Sequence, residues 1–133
     1  MSLPPQAADR VDRVVIRTEK DVALARRAVS RAMDQVSSRA IVKTRFVTAV
    51  SEIARNAFVH AGGGVLSVYA DEATVYVVCA DDGPGIADVE AAMRDGFSTA
   101  NSLGRGLGGA RRLAARFEID SGPKGTTVRM ASR

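Results

Sequence analysis

The chain has 133 residues, 46% hydrophobic and 26% charged, which suffices for one packed domain and is too short for two. Its net charge of +4 suits a polyphosphate ligand or an acidic protein partner, while 2 Tyr, 4 Phe and no Trp are too few for a base-stacking surface, so no nucleic acid is expected. No apolar run approaches the roughly 18 residues of a membrane span, the start MSLPPQAADR has no signal-peptide core, and the single Cys permits no internal disulfide and fits a reducing cytoplasm.

Residues 1–10 are polar and Pro-rich and read as an unstructured tail before a single domain over residues 11–133. The β-branched stretch 11–17, VDRVVIR, predicts a first strand. Thr18 and Asp21 then mark a helix entry, and Val22, Ala25, Val29, Ala32, Met33 and Val36 recur at three and four, giving a helix over residues 20–36. Arg26, Arg27 and Arg31 fall on its outer side, as a solvated basic face or a partner-docking one. Ser38 is the expected N-cap of a second helix over residues 39–60, which Gly62, Gly63 and Gly64 stop.

Residues 66–70 and 74–80 alternate as two strands of a hairpin joined at 71–73. Val75, Val77, Cys79 and Asp81 share one parity. If that face meets the helices, Cys79 is a small buried residue and Asp81 lies at the mouth of the helix–sheet cleft. The loop 82–86, DGPGI, leaves the strand. A short helix over residues 88–95 and a mobile small-residue loop over 96–103 follow. GRGLGG, residues 104–109, opens a third helix running through Phe117, with Leu107, Ala110, Leu113, Ala114 and Phe117 inward. Residues 118–121 and 126–130 are the last strands, joined by Gly122-Pro123-Lys124-Gly125.

Glu52, Asn56 and His60 are spaced by four, so they form one stripe of the second helix, beside the apolar stripe Val42, Phe46, Ala49, Val50, Ile53 and Ala57. A solvated helix edge is one reading. The sharper one is a site for a hard cation and its phosphate ligand. There Asn56 offers a neutral oxygen to Mg2+, which takes few protein ligands, and Glu52 accepts a proton from an attacking hydroxyl. The glycines Gly104, Gly106 and Gly108 before a helix suit the wrapping of phosphate oxygens by backbone N–H groups. The glycine pattern does not follow a strand directly, and G-x-x-x-x-G-K-[ST], H-R-D and D-F-G are missing, which sets aside Rossmann, P-loop and eukaryotic-type kinase readings.

The whole set resembles the GHKL ATP-binding superfamily. Glu52-x-x-Arg55-Asn56-Ala57-x-x-His60 resembles its N box, and Asp81-x-Gly83-x-Gly85 its G1 box. Gly104-x-Gly106-Leu107-Gly108 resembles its G2 box, and Gly125-Thr126 its terminal Gly-Thr. The resemblance implies an α+β two-layer Bergerat sandwich, a mixed β-sheet with helices on one face. It implies ATP and Mg2+ as cofactors. Asp81 would accept from the adenine amine with support from Thr126, and Gly85 would give the base room. Asn56 would hold Mg2+, and Gly83, Ile86, Gly104, Gly106, Leu107 and Gly108 would complete the nucleotide site. The segment 96–103 would be the ATP lid.

GFSTANSLGRGLGGARRL, residues 96–113, is further similar to the RsbT-type serine kinases of bacterial stress signalling. That similarity implies transfer to a serine on a STAS-domain anti-sigma antagonist, with Glu52 as general base. It also implies a PP2C-type phosphatase or a sigma factor as further partners. Arg105 lies between two glycines, where its guanidinium could reach the γ-phosphate. One departure is His60, where the close family favours an aromatic residue. A histidine kinase needs a phosphoacceptor His on a dimerisation helix pair, and the 1 His here lies in the second helix. An anti-sigma factor binding sigma directly, or a nucleotide-gated binding module, are the alternative functions.

Overall fold

The computed structural model describes residues 2–86, 89, 93 and 103–133, the side chains of 103–105 excepted. In chain order its elements are β1 (Asp9–Ile16), α1 (Glu19–Gln35), α2 (Ala40–Ala61), β2 (Gly64–Ala70), β3 (Val75–Ala80), α3 (Leu103–Leu113), β4 (Arg116–Gly122) and β5 (Gly125–Ala131). The sheet runs β1-β2-β3-β5-β4. Every pairing is antiparallel, where the resemblance implied a mixed sheet. The connections explain why. Two helices between β1 and β2 return the chain to the end it left, so Ile16 pairs with Gly64. β4 does run in the direction of β3, but β5 lies between them and is antiparallel to both.

The two-layer α+β arrangement follows from alternation. Leu66 and Val68 of β2, Val75, Val77 and Cys79 of β3, and Val128 and Met130 of β5 are buried toward the helices. Val22, Ala25, Val29 and Met33 of α1 meet them, with Phe46, Ala49, Val50, Ile53 and Ala57 of α2. Each large apolar side chain buried there contributes about 1.5–3 kcal/mol.

α1 opens as its sequence signals. The Asp21 carboxylate accepts from the backbone N–H groups of Arg17, at 2.8 Å, and Thr18, at 2.9 Å. Those bonds, the Arg17 one foremost, hold its carboxyl below the usual range. α2 starts at Ala40, with extended Arg39 rather than Ser38 at the N-cap and no side-chain cap bond. The Arg39 carbonyl already takes the Lys43 N–H at 3.1 Å, so the first turn closes one residue later than the serines suggest. At the other end Gly62, at φ 77°, donates to Phe58 O, and Gly63 donates to Ala57 O.

α3 stops at Leu113, and Phe117 belongs to β4, opposite Met130. The Ala115 N–H bonds the Ala131 carbonyl at 3.0 Å, which starts the strand ladder before the apolar helical period can continue. β1 begins at Asp9, and the opening residues differ from the tail expected for 1–10. The outer face of the sheet carries Tyr69 and Tyr76, and Leu3 packs over Tyr76 and Ala131 with its N–H on Glu118 Oε1 at 3.1 Å. Of the expected helix 88–95 only Val89 and Met93 are described, joined by a 3.0 Å Met93 N–H to Val89 O bond of helical spacing. The loop 96–102 lies outside the described residues.

Candidate functional site

β3 ends at Ala80 between β2 and β5, and its alternation does carry Asp81 to the helix side, one residue past the last ladder position. The Asp81 N–H bonds the Thr126 carbonyl at 2.9 Å. Its carboxylate Oδ1 accepts from the Gly83 N–H at 3.0 Å and from the Thr126 N–H at 3.2 Å. Both bonds fall on one oxygen, and among the described residues nothing bonds Oδ2. The carboxylate is therefore fixed in orientation while one acceptor remains for a ligand donor.

Gly125 is what lets the two strands approach here. It sits at φ 141°, and a side chain on it would collide with the Asp81 carbonyl. Gly83 lies against the end of α2, where an added Cβ would be 2.6 Å from the Ala61 Cβ. Gly85, at φ 81°, brings the loop against the Gly122 carbonyl. Ile86 then packs on the core edge and donates its N–H to Ser121 Oγ at 2.7 Å. Ser121 Oγ in turn is 2.7 Å from Thr126 Oγ1. The G1-like loop is thus tied to the β4–β5 hairpin by a serine that the sequence reading passed over. The signal was available, because a two-residue turn at Pro123-Lys124 sets Ser121 opposite Thr126.

On α2 the expected stripe is graded in burial. Glu52 is partly buried, Asn56 is partly buried, and His60 is exposed in the last turn. The Asn56 Oδ1 atom is itself buried and has no hydrogen-bond partner among the described residues. An unsatisfied buried acceptor costs about 1–3 kcal/mol, so a water or another donor or cation is expected to meet it. Neutral oxygen is the donor type a hard cation accepts. Among the described residues no cluster of three or more His, Cys, Asp or Glu could hold a metal. Glu52, one turn earlier, is 3.9 Å from Arg55 Nη1. Its other face meets α3, where a Cβ on Gly106 would lie 2.9 Å from Glu52 Oε2.

The G2-like residues are split by their packing. Gly106 and Gly108 are buried, and the Leu107 side chain enters the core at 4% exposure, so any contact it makes with a ligand would be through its backbone. Gly104 and Arg105 lie in the first turn of α3, and the Arg105 side chain is outside the described residues. Hydrogen bonds thus join Asp81, Gly83 and Thr126, and tie Ile86 to Ser121 beside them, while Glu52 meets the first turn of α3, with Asn56 one turn further along α2 and His60 exposed in its last turn. Arg26 and Arg27 are exposed on α1, and Arg31 is paired with Asp12 at 3.4 Å. Cys79 is buried two residues before Asp81, and burial followed by the nearby Asp81 charge pushes its thiol up to about 12. No helix among the described residues is long and apolar enough to cross a membrane.

The chain is 37% identical over 112 residues to the serine/threonine-protein kinase RsbT of Bacillus subtilis (strain 168), covering 81% of this chain and 84% of that one. It is 34% identical over 97 residues to the anti-sigma F factor of the same bacterium, covering 65% of this chain and 66% of that one. The solved structure of the RsbU and RsbW domains of a Mycobacterium tuberculosis protein matches with a TM-score of 0.66 over 97% of this chain. That match covers 33% of the mycobacterial chain at 18% identity, so it bears on the fold alone. Residues 16–132 match the family described as the histidine kinase-like ATPase domain. With that match spanning the three helices and four of the five strands, the chain belongs to the histidine kinase-like ATPase domain family, the one its four glycine and asparagine motifs resemble.

Proposed function

We propose that this chain is an ATP-dependent protein serine/threonine kinase acting on a serine of a small STAS-domain regulator, in a cytoplasmic partner-switching pathway that controls a sigma factor. The observation that carries the reading is the buried, unpartnered Asn56 Oδ1, one helical turn from a carboxylate that abuts the start of α3. The likeness to RsbT, a serine/threonine-protein kinase, supports the same class of activity.

In this reading Asp81 Oδ2 accepts from the adenine amine, because Oδ1 is already taken by two backbone N–H groups. The Asn56 oxygen would hold Mg2+, and the N–H groups of the first turn of α3, Gly104 and Gly106 among them, would face the phosphates, whereas Gly108, in the second turn, has its N–H within the helix. When bound, Mg·ATP supplies an activated γ-phosphoryl group with its charge neutralised. Glu52 accepts the proton of the partner's serine hydroxyl as that oxygen forms its bond to phosphorus and the bond to the ADP oxygen breaks. Arg105, in the first turn of α3, is placed in sequence to stabilise the charge on the transferred group.

The test is transfer from γ-labelled ATP to a purified STAS-domain partner. Wild type should label the partner on serine. Glu52→Ala should keep ADP affinity and lose about 10²–10⁴ in transfer rate. Undiminished transfer would remove Glu52 from the chemistry, and no transfer by wild type would sink the kinase reading.

A second reading, direct capture of a sigma subunit, is favoured by the likeness to the anti-sigma F factor and by Arg26 and Arg27 standing exposed beside Leu24, itself 44% exposed, on α1. It predicts a nucleotide-dependent complex with purified sigma that Arg26→Glu and Arg27→Glu weaken without changing serine transfer.

A further inference from the structure

Four large apolar side chains stand exposed among the described residues: Val11, Leu24, Ile41 and Val59. Two of the four lie on α2, at 55% and 46% exposure, and they share one face of it. Ile41, Arg45, Thr48, Glu52, Arg55 and Val59 follow one another at steps of four, three, four, three and four. That spacing keeps side chains in a single seam along a helix. Ile41, Arg45, Thr48 and Val59 are exposed, and Glu52 and Arg55 are partly buried. Phe46, Val50, Ile53 and Ala57 turn the other way, into the core. The seam is the open side of α2, and Glu52 lies within it.

The placing of Glu52 decides how a reacting group must arrive. On one side its carboxylate is closed off by α3 at Gly106. A hydroxyl carried by another protein therefore comes over the open seam, and the body of that protein covers the residues to either side. Those residues have a definite chemistry. Glu52 is the one acid of α2, against the cations Lys43, Arg45 and Arg55. Lys43 is taken by Asp34 of α1 at 2.6 Å. Arg55 reaches Glu52 only at 3.9 Å, and Arg45 has no ion pair among the described residues. The Thr48 hydroxyl donates to the Thr44 carbonyl at 2.8 Å, so its proton is spent within the helix. The ends of the seam are β-branched, and exposed β-branched residues weaken a helix slightly. Ile41 and Val59 thus do nothing for α2 on its own.

We propose that this seam docks a helix of the phosphoacceptor protein, with acidic residues facing Arg45 and Arg55 beside the acceptor serine and apolar residues covering Ile41 and Val59. Alternating steps of three and four are the pattern of one helix packed along another at a shallow angle. From Ile41 to Val59 the seam spans about 27 Å, the reach of a helix and not of a tight loop. The inference rests on the kinase reading, and goes beyond it by assigning acceptor recognition to Ile41, Arg45 and Val59.

The test uses the full chain, γ-labelled ATP and the purified STAS-domain partner as acceptor. Ile41→Glu, Arg45→Glu and Val59→Glu are compared with wild type and with Arg13→Glu, an exposed charge reversal on β1. Glutamate is welcome in the first turn of a helix, so Ile41→Glu should fold. Each of the three should raise the KM for the acceptor about tenfold, the scale of one interface residue that matters. The rate at saturating acceptor should fall much less, and ADP affinity, by calorimetric titration, should not change. Arg13→Glu should match wild type. Added salt should raise the wild-type KM and narrow its distance from Arg45→Glu, since screening removes the same attraction. A fall in the folded fraction lowers the rate and leaves KM alone, so a destabilised variant still reports. Wild-type KM values in all three variants, with transfer intact, would overturn the docking seam and leave the kinase reading standing. The same KM values accompanied by loss of a wild-type dimer in sedimentation would give the seam to a second copy of this chain, which also overturns the proposal. No transfer by wild type would instead sink the kinase reading on which the inference stands.

Discussion

The Glu52 carboxylate of α2 lies against Gly106 in the first turn of α3, so closely that a single added carbon on Gly106 would come within 2.9 Å of Oε2. Two helices far apart in sequence thus meet at a carboxylate and a missing side chain. The atom in the way is the far end of a flexible side chain, so Gly106→Ala should displace Glu52 and not the helices. Alanine also favours a helix over glycine by about 1 kcal/mol. Stability and activity should therefore part. The melting temperature of Gly106→Ala should hold or rise, while serine transfer falls on the order of 10²-fold, the effect of misplacing a reacting group by about an ångström. Thermal unfolding and labelled transfer measured on one preparation decide it, and an unimpaired transfer rate would show that the contact has no part in the chemistry.

Arg55 pairs with Glu52 only loosely, at 3.9 Å, and its side chain is 38% exposed. Exposed pairs of this kind contribute about 0–1 kcal/mol. Arg55→Ala should accordingly leave the urea midpoint nearly unchanged. A large loss of stability would mean that Arg55 has a structural partner beyond Glu52.

Asp71 shapes the β2–β3 turn. Its Oδ1 takes the Ala73 and Thr74 N–H groups at 3.0 and 2.9 Å, and its Oδ2 takes the Tyr76 hydroxyl at 2.7 Å. The Tyr76 bond first, then the Ala73 one, holds the carboxyl below its ordinary value. The ionised form is thus favoured by folding. Its contribution is complete above the unfolded value near about 4 and is lost as pH falls through the lower folded value. Asp71→Asn should lower stability at neutral pH and flatten its decline below about pH 4. A parallel decline in both proteins would place the acid sensitivity elsewhere.

Much of this was legible before any coordinates. The alternation of Val75, Val77 and Cys79 placed Asp81 on the helix side, and the four-residue spacing of Glu52 and Asn56 put both on one partly buried stripe of α2. Burial of Leu66, Val68 and Met130 confirms the sheet side those strands present. What periodicity could not give was closure between segments. Phe117 continues the α3 period, yet the Ala115 N–H is captured by Ala131, so it joins a strand. Ser121 was read only as the end of a strand, and its bonds to Thr126 opposite and Ile86 across the loop show in no period. The packing of Leu3 on Tyr76 was equally invisible, because a proline-rich start reads as a tail until the apolar outer face it covers is seen.

Cys79 offers a probe of the strand that leads into Asp81. Its thiol is buried and raised to about 12, chiefly by the loss of water and next by the charge of Asp81. Thiolate is the reactive form, so the native protein should resist alkylation at pH 8 and label fully in denaturant. Rapid native labelling would mean that β3 opens beside the site without global unfolding.

Asn56 carries the sharpest opposition between stability and function. Its Oδ1 is buried without a partner, and a lone buried acceptor costs about 1–3 kcal/mol relative to an apolar group of similar shape. Natural chains retain such a cost where a ligand removes it. Asn56→Leu deletes the acceptor, keeps a side chain of comparable length and suits a helix interior. The ligand-free variant should therefore melt at least as high as wild type, and by this bookkeeping a few degrees higher. The Mg·ADP-induced rise in melting temperature, present in wild type because the ligand binds only the folded state, should disappear. ADP with a chelator present separates the two roles. Wild type and Asn56→Leu should then converge, because the metal is what the oxygen holds. If the variant instead loses stability and keeps its metal-dependent shift, the Asn56 oxygen faces the protein and the cation lies elsewhere in the cleft.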